Sequence, residues 1–199
     1  GVLGGAVGVW VAVGEGRALD LGGSGATCEI PKDALWRFFG ADAFGMSMTL
    51  QADQPGVSSG EIARIHGSII VSVQEDGDLS VQLFPDTGER VNLSSQGIAI
   101  NDGAQHDISI VLDSVSGNLQ IMIDGTVSGS QTLAGSMPEM GSWGLVFGNP
   151  WGKQNFDGKL SDFDLDAASV DYPIFEGELE SSLTVLDPAD PVGELDPVD

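Results

Sequence analysis

Basic residues are scarce in this chain: seven Lys and Arg stand against thirty Asp and Glu, a formal charge of −23 at neutral pH. A surface of that sign repels phosphate backbones and anionic lipid heads, so no nucleic acid partner and no membrane insertion are expected. Cysteine is nearly missing. Cys28 alone closes no intrachain disulfide, and a lone thiol is far more often a small buried hydrophobe than a nucleophile. The two histidines, His66 and His106, stand isolated in the sequence, so zinc-ligand spacing is absent. Tyrosine occurs once, at Tyr172. No apolar run approaches the ~18 residues that suggest a membrane span. Residues 1–13 are apolar but interrupted by Gly, and they lack the basic start and cleavage pattern of a signal peptide. They read as a first strand, in a chain expected to be part of something longer.

What is present is alternation. Phe44, Met46, Met48 and Leu50 fall on one face, with Gly45, Ser47 and Thr49 on the other. Ile69, Val71 and Val73 alternate likewise; Glu75-Asp76-Gly77-Asp78 turns the chain, and Leu79, Val81 and Leu83 return. The pattern recurs in Ile108, Ile110 and Leu112, a turn over 113–118, then Leu119, Ile121 and Ile123. Asp124-Gly125 leads into a strand over 126–131, and later strands are expected over 144–147 and 156–165. One short helix is expected over 34–39, capped by Asp33. Short strands at close spacing with almost no helix predict an all-β antiparallel sandwich, best matched by a jelly roll. At 199 residues the chain is long enough for one such core.

The end of the chain differs in kind. After Lys159 there is no Lys or Arg, and prolines recur among acids through Pro188, Pro191 and Pro197. Proline cannot join a central ladder and like charges self-repel, so 169–199 reads as an extended acidic linker after a domain over 1–168. A linker there implies other domains of the same parent polypeptide.

Several stretches, in this order, carry a resemblance: Arg17-Ala18-Leu19-Asp20-Leu21-Gly22-Gly23-Ser24-Gly25 with Cys28-Glu29-Ile30-Pro31; the paired strands within 68–84; residues 106–130; and Leu145-Val146-Phe147-Gly148-Asn149 with Phe156-Asp157-Gly158-Lys159-Leu160-Ser161-Asp162-Phe163. Together they resemble the bacterial laminin-G-like, concanavalin A-like lectin/glucanase jelly-roll family. Gln105 stands where that family has an aromatic residue, and Asp107 where it has an apolar or aromatic one. The resemblance implies a secreted, extracellular recognition or adhesion module, with a glycan or cell-surface glycoconjugate as partner. It also implies calcium at one rim of the sandwich, held by Asp86 and by Asn155 and Asp157 in the loop before the last strand. Ordinary turn chemistry places Asp and Asn in loops as well.

Catalysis finds little support in the residues. Jelly-roll glucanases carry acid and nucleophile as E-x-D-x-x-E on one strand, and that pattern does not occur here. Asp162, Asp164 and Asp166 mimic it, but three like charges on one face suit solvent rather than a cleft. Ile62-Ala63-Arg64-Ile65-His66-Gly67 is similar to an element of jelly-roll alginate lyases, with Arg64 in place of glutamine and no tyrosine in a late strand. The chain is therefore read as non-catalytic, with a polysaccharide-degrading enzyme or a spacer domain of an adhesin as the alternatives. For glycan the informative segment is the loop from Asn149 through Trp151 to Asn155. An indole beside Gly and Pro can lie against a sugar's C–H face while amides bond its hydroxyls. A tryptophan folded back to plug the sandwich end would look the same in sequence.

Overall fold

A computed structural model of the chain describes residues 9–13, 16–22, 27–31, 35, 43–113, 116–133, 144–149 and 155–168. The strands are β1 (Val9–Val13), β2 (Gly16–Asp20), β3 (Cys28–Ile30), β4 (Ala43–Ala52), β5 (Gly60–Ile65), β6 (Ile69–Val73), β7 (Leu79–Leu83), β8 (Val91–Ser94), β9 (Gln105–Asp113), β10 (Asn118–Ile123), β11 (Thr126–Thr132), β12 (Leu145–Phe147) and β13 (Gly158–Ala168). The expected helix over 34–39 lies outside the described residues except for Leu35, and so does the segment 169–199.

Two antiparallel sheets face each other. One is seven-stranded in the order β1-β2-β13-β4-β9-β10-β11; the other is six-stranded, β3-β12-β5-β6-β7-β8. Non-consecutive neighbours such as β13 beside β4 are the mark of a jelly roll, and the all-β sandwich expected from the alternation is the fold found. Each strand turns one set of alternate residues inward. Met46 and Leu50 of β4, Ile110 of β9 and Ile121 of β10 meet Ile65, Val71, Val81 and Leu83 of the opposite sheet, all buried. Phe147 of β12 and Phe163 of β13 meet edge to face at 4.8 Å, tying the two sheets together.

Bulges break the two-residue period where the chemistry gathers. In β5 the pairing with β6 shifts between Glu61 and Ala63, so Ile62 is the extra residue. Ala63 and Ile65 still face inward, and Glu61 and Arg64, an odd number of residues apart, emerge on the same outer face. In β13 the pairing with β4 shifts between Ser161 and Asp164, where Asp162 adopts a φ of 50°. Phe163 then turns in while Asp162, Asp164 and Asp166 stand exposed on the outer face of the seven-stranded sheet.

The register sorts the connections into two rims. The near rim gathers residues 53–59, 74–78, 95–104, 124–125, 148–149 and 155–157. The far rim gathers 66–68, 84–90, 113 and 116–117.

Candidate functional site

The near rim is organised around Glu61, the one buried carboxylate among the described residues. The β5 bulge sets it beside Arg64, whose Nε donates to Glu61 Oε1 at 2.6 Å and whose Nη2 donates to Oε2. That is a two-pronged guanidinium–carboxylate pair, with the Arg64 and Glu61 side chains 17% and 7% exposed. Glu61 Oε2 also accepts from Asn149 Nδ2 at 3.2 Å. The backbone N–H of Asn149 donates to Asn155 Oδ1, and Phe156 N–H donates to the Glu61 carbonyl at 3.0 Å. Asn149 and Asn155 are 3% and 0% exposed.

The two asparagines expected to meet a ligand therefore face inward. They bond to each other and, through Asn149, to Glu61 of β5, so the residues on either side of 150–154 are fixed to the sandwich. Trp151 belongs to that loop and lies outside the described residues.

Asp157 follows directly. Its carboxylate accepts from Gln54 Nε2, while its backbone oxygen accepts from Ser58 Oγ at 2.6 Å and from Asp53 N–H at 3.0 Å. Lys159 Nζ pairs with Asp53 at 2.6 Å. Loop 53–59 and the segment 155–157 thus form one bonded ridge. Pro55, lying under Gly103, joins loop 95–104 to it: a Cβ at Gly103 would stand 2.7 Å from the proline ring.

Asp86 is elsewhere. It follows β7 at the far rim, whereas Asn155 bridges to Glu61 near the start of β5. The span from Glu61 to Ile65 alone covers roughly 13 Å of strand, and β7 lies two strands over at about 4.8 Å each. Calcium ligands all sit about 2.3–2.6 Å from one ion. Asp86, Asn155 and Asp157 do not fit one shell, and the Asn155 oxygen already accepts a backbone bond. The Asp–Asn set implied by the family resemblance is thus corrected: its members stand at opposite ends of the sandwich.

His106 is not isolated either. At the start of β9 its Nδ1 lies 2.8 Å from Asp124 Oδ2 and its Nε2 lies 3.1 Å from Asp102 Oδ1. The ring is buried between two carboxylates that are about half exposed. Burial pushes its pKa down, but the bonds from Asp124 and Asp102 more than reverse this, and the net shift is upward. The Ala104 backbone N–H, then His106, hold Asp102 below the usual carboxylate range; His106, then the Asp107 backbone N–H, do the same for Asp124. The imidazolium donates to both neighbours, and neutral imidazole can donate to one only.

The pH dependence follows from those directions. The raised histidine contributes stability fully below about pH 6.5 and loses it as pH rises through its folded value. The depressed carboxylates contribute above about pH 4 and lose it as pH falls. A thermal-melting series should show Tm falling from pH 6 to pH 8.5 in the wild type, and falling less in His106→Gln. An equal fall in both would remove His106 as the cause.

A model of the concanavalin A-like lectin/glucanases superfamily matches residues 23–168. The chain belongs to that superfamily. No curated protein sequence matches it. Among solved structures, this superfamily member is similar to the binding domain of Paraclostridial Mosquitocidal Protein 1, at 13% identity and a TM-score of 0.60, over 82% of this chain and 42% of that one. It is similar to the binding domain of botulinum neurotoxin DC in complex with SialylT, at 13% identity and a TM-score of 0.60, over 84% and 43%. It is also similar to domain 4 of AbnA, a GH43 extracellular arabinanase from Geobacillus stearothermophilus, in complex with arabinotriose: 14% identity, a TM-score of 0.60, 83% of this chain and 78% of that one. The chain spans less than half the length of either toxin domain. At such identities the likeness is one of fold.

Two features of this superfamily member were not singled out by sequence reasoning: the Glu61–Arg64–Asn149 network and the Asp102–His106–Asp124 clamp. The clamp has a sequence signal. Asp102 lies four residues before His106, and pairing Ile108 with Ile123 brings the Asp124-Gly125 turn beside Asp107. The network has none, because it depends on a bulge.

Proposed function

We propose that this domain is a non-catalytic carbohydrate-binding module, working outside the cell within a larger polypeptide, with loop 150–154 as its principal ligand contact. The observation that carries the reading is the state of Glu61. Glycoside hydrolysis asks for two carboxylates facing a bond. Here the buried carboxylate is committed to Arg64 and Asn149, and the Asp162–Asp164–Asp166 series lies exposed on the other sheet. A buried pair spent on closing a loop stem suits presentation of that loop, and rim loops on a rigid sandwich are where binding residues usually sit. Similar folds are recorded with SialylT and with arabinotriose, which supports glycan as the ligand class.

Glycan-array binding of the purified chain tests this, with Trp151→Ala as the decisive variant. A central aromatic contact is worth about 2 kcal/mol or more, so the variant should bind roughly thirtyfold more weakly or worse. Reproducible cleavage of laminarin, agar or alginate would favour an enzyme instead. No binding to any sugar would favour a spacer.

Calcium enters the proposal only as an ion at one rim at a time, near Asp157 or near Asp86. In a double-mutant cycle on calcium-induced stabilisation, Asp86→Ala and Asp157→Ala should be additive within about 0.5 kcal/mol. Coupling well beyond that would place them around a single ion.

A further inference from the structure

The acidic load of this chain is unevenly spread over the two sheets. On the seven-stranded sheet the outer face carries Asp162, Asp164 and Asp166 of β13 and Asp107 of β9, all exposed. The outer face of the six-stranded sheet is built differently. Across β5, β6, β7 and β8 the register lines up Arg64, Ile70, Gln82 and Asn92 in one row, and Glu61, Ser72, Ser80 and Ser94 in the next. The two charges in those rows, Glu61 and Arg64, neutralise each other. At the ends of the face, Arg90 Nε donates to Asn92 Oδ1 at 2.9 Å, and exposed Glu29 sits on the edge strand β3, beyond Val146. Between them the described surface is amide, hydroxyl and two half-buried apolar side chains, Ile70 and, under the Arg90 guanidinium, Phe84.

In a protein of charge −23, a sheet face free of exposed carboxylates over four strands calls for a reason. Stripping water from carboxylates is costly without a counter-charge, so an anionic face binds an uncharged polar ligand poorly. Amides and hydroxyls can exchange water for ligand hydroxyls at little net cost, and Ile70 offers an apolar contact at the centre. Three strand spacings give a width of about 14 Å, the length of a short oligosaccharide. The face also adjoins the stem of loop 150–154 through Glu61 and Asn149.

We propose that the outer face of strands β5 to β8 is a docking surface for an uncharged glycan chain, lying across Ile70, Gln82 and Asn92. This rests on the carbohydrate-binding reading above and adds both the surface and the charge class of the ligand.

Affinity gel electrophoresis of the full chain through arabinan, laminarin and polygalacturonate tests it. Retardation is expected with at least one of the neutral polymers and not with polygalacturonate. The double variant Gln82→Ala/Asn92→Ala should lose about tenfold in affinity, given two hydrogen bonds at about 0.5–1.5 kcal/mol each. Ser72→Glu should lose as much by placing a charge mid-face, while Ser109→Ala/Gln120→Ala on the other sheet should bind as the wild type does. Matched circular-dichroism spectra guard against misfolding, which the solvent-facing Gln82 and Asn92 make a small risk.

Binding lost in Trp151→Ala but kept within twofold in both face variants would overturn the docking face and leave the loop reading standing. Loss in the face variants with Trp151→Ala unaffected would do the reverse. Retardation by polygalacturonate alone would overturn the neutral-ligand assignment, and retardation by none of the three would overturn both readings.

Discussion

Glu61→Ala is expected to lower stability by about 3 kcal/mol, or roughly 6–12 °C in Tm for a domain of this size. The substitution removes a carboxylate that accepts from Arg64 Nε, Arg64 Nη2 and Asn149 Nδ2. It leaves a guanidinium only 17% exposed without the charge that offsets its burial. Breaking a buried pair from one side costs about 3–5 kcal/mol, and the low end applies because Arg64 keeps some contact with water. Replacing both partners with apolar residues, as in Glu61→Leu/Arg64→Met, should recover most of the loss, because no lone charge is left behind. Thermal melts of the single and double variants read this directly. A loss under about 1 kcal/mol in the single variant would mean the pair behaves as a surface salt bridge. Because the same carboxylate ties Asn149 to β5, the glycan binding proposed for loop 150–154 should weaken as well.

Gly158→Ala should be comparably damaging for a steric reason. A Cβ there would stand 2.4 Å from the Gln51 carbonyl oxygen, 2.5 Å from the Phe156 ring and 3.1 Å from the Ala52 Cα. Two of those neighbours are backbone of β4, and Phe156 is a fully buried side chain, so none can swing away. Overpacking a close-packed site costs about 1–3 kcal/mol, and a clash with backbone belongs at the upper end. Gly158 opens β13 next to Asp157, so relief would have to come from the β13–β4 register or from the ridge formed with loop 53–59. Urea unfolding of Gly158→Ala should show a midpoint shifted by about 3 kcal/mol divided by m. Gly45→Ala is the control: it lies on the same sheet with open space where its Cβ would go, and it should change stability little. Equal effects at the two glycines would refute close approach as the cause.

Much of the sandwich was legible before any coordinates. Strands β4, β6, β7, β9 and β10 alternate without interruption, and a half-buried strand must show that period because each step reverses the face. The Asp124-Gly125 turn was legible for a similar reason. Its two residues have φ of 52° and 74°, the left-handed pair that a two-residue hairpin needs and that Asp-Gly supplies. Strand β5 was harder to see, since Gly60-Glu61-Ile62-Ala63-Arg64-Ile65 does not keep a period of two. The bulge at Ile62 explains why: three successive residues, Glu61, Ile62 and Ala63, are all buried.

The site divides along the same line. By itself the sequence determined that the chain is all-β, strongly acidic and without a glucanase pair, because composition and period are local properties of the chain. It also pointed to the loop bounded by Asn149 and Asn155, since Pro, Trp and Gly between two amides are visible as letters. Only the tertiary structure showed that those asparagines are buried, bonded to each other and, through Asn149, to Glu61. It alone separated Asp86 from Asp157, and set His106 between two carboxylates distant in sequence. It also gathered the exposed acids of β9 and β13 on one sheet while leaving the central strands of the other neutral. The physical reason is register: one extra residue in a strand reverses which side chains share a face, and the order of strands decides which loops share a rim.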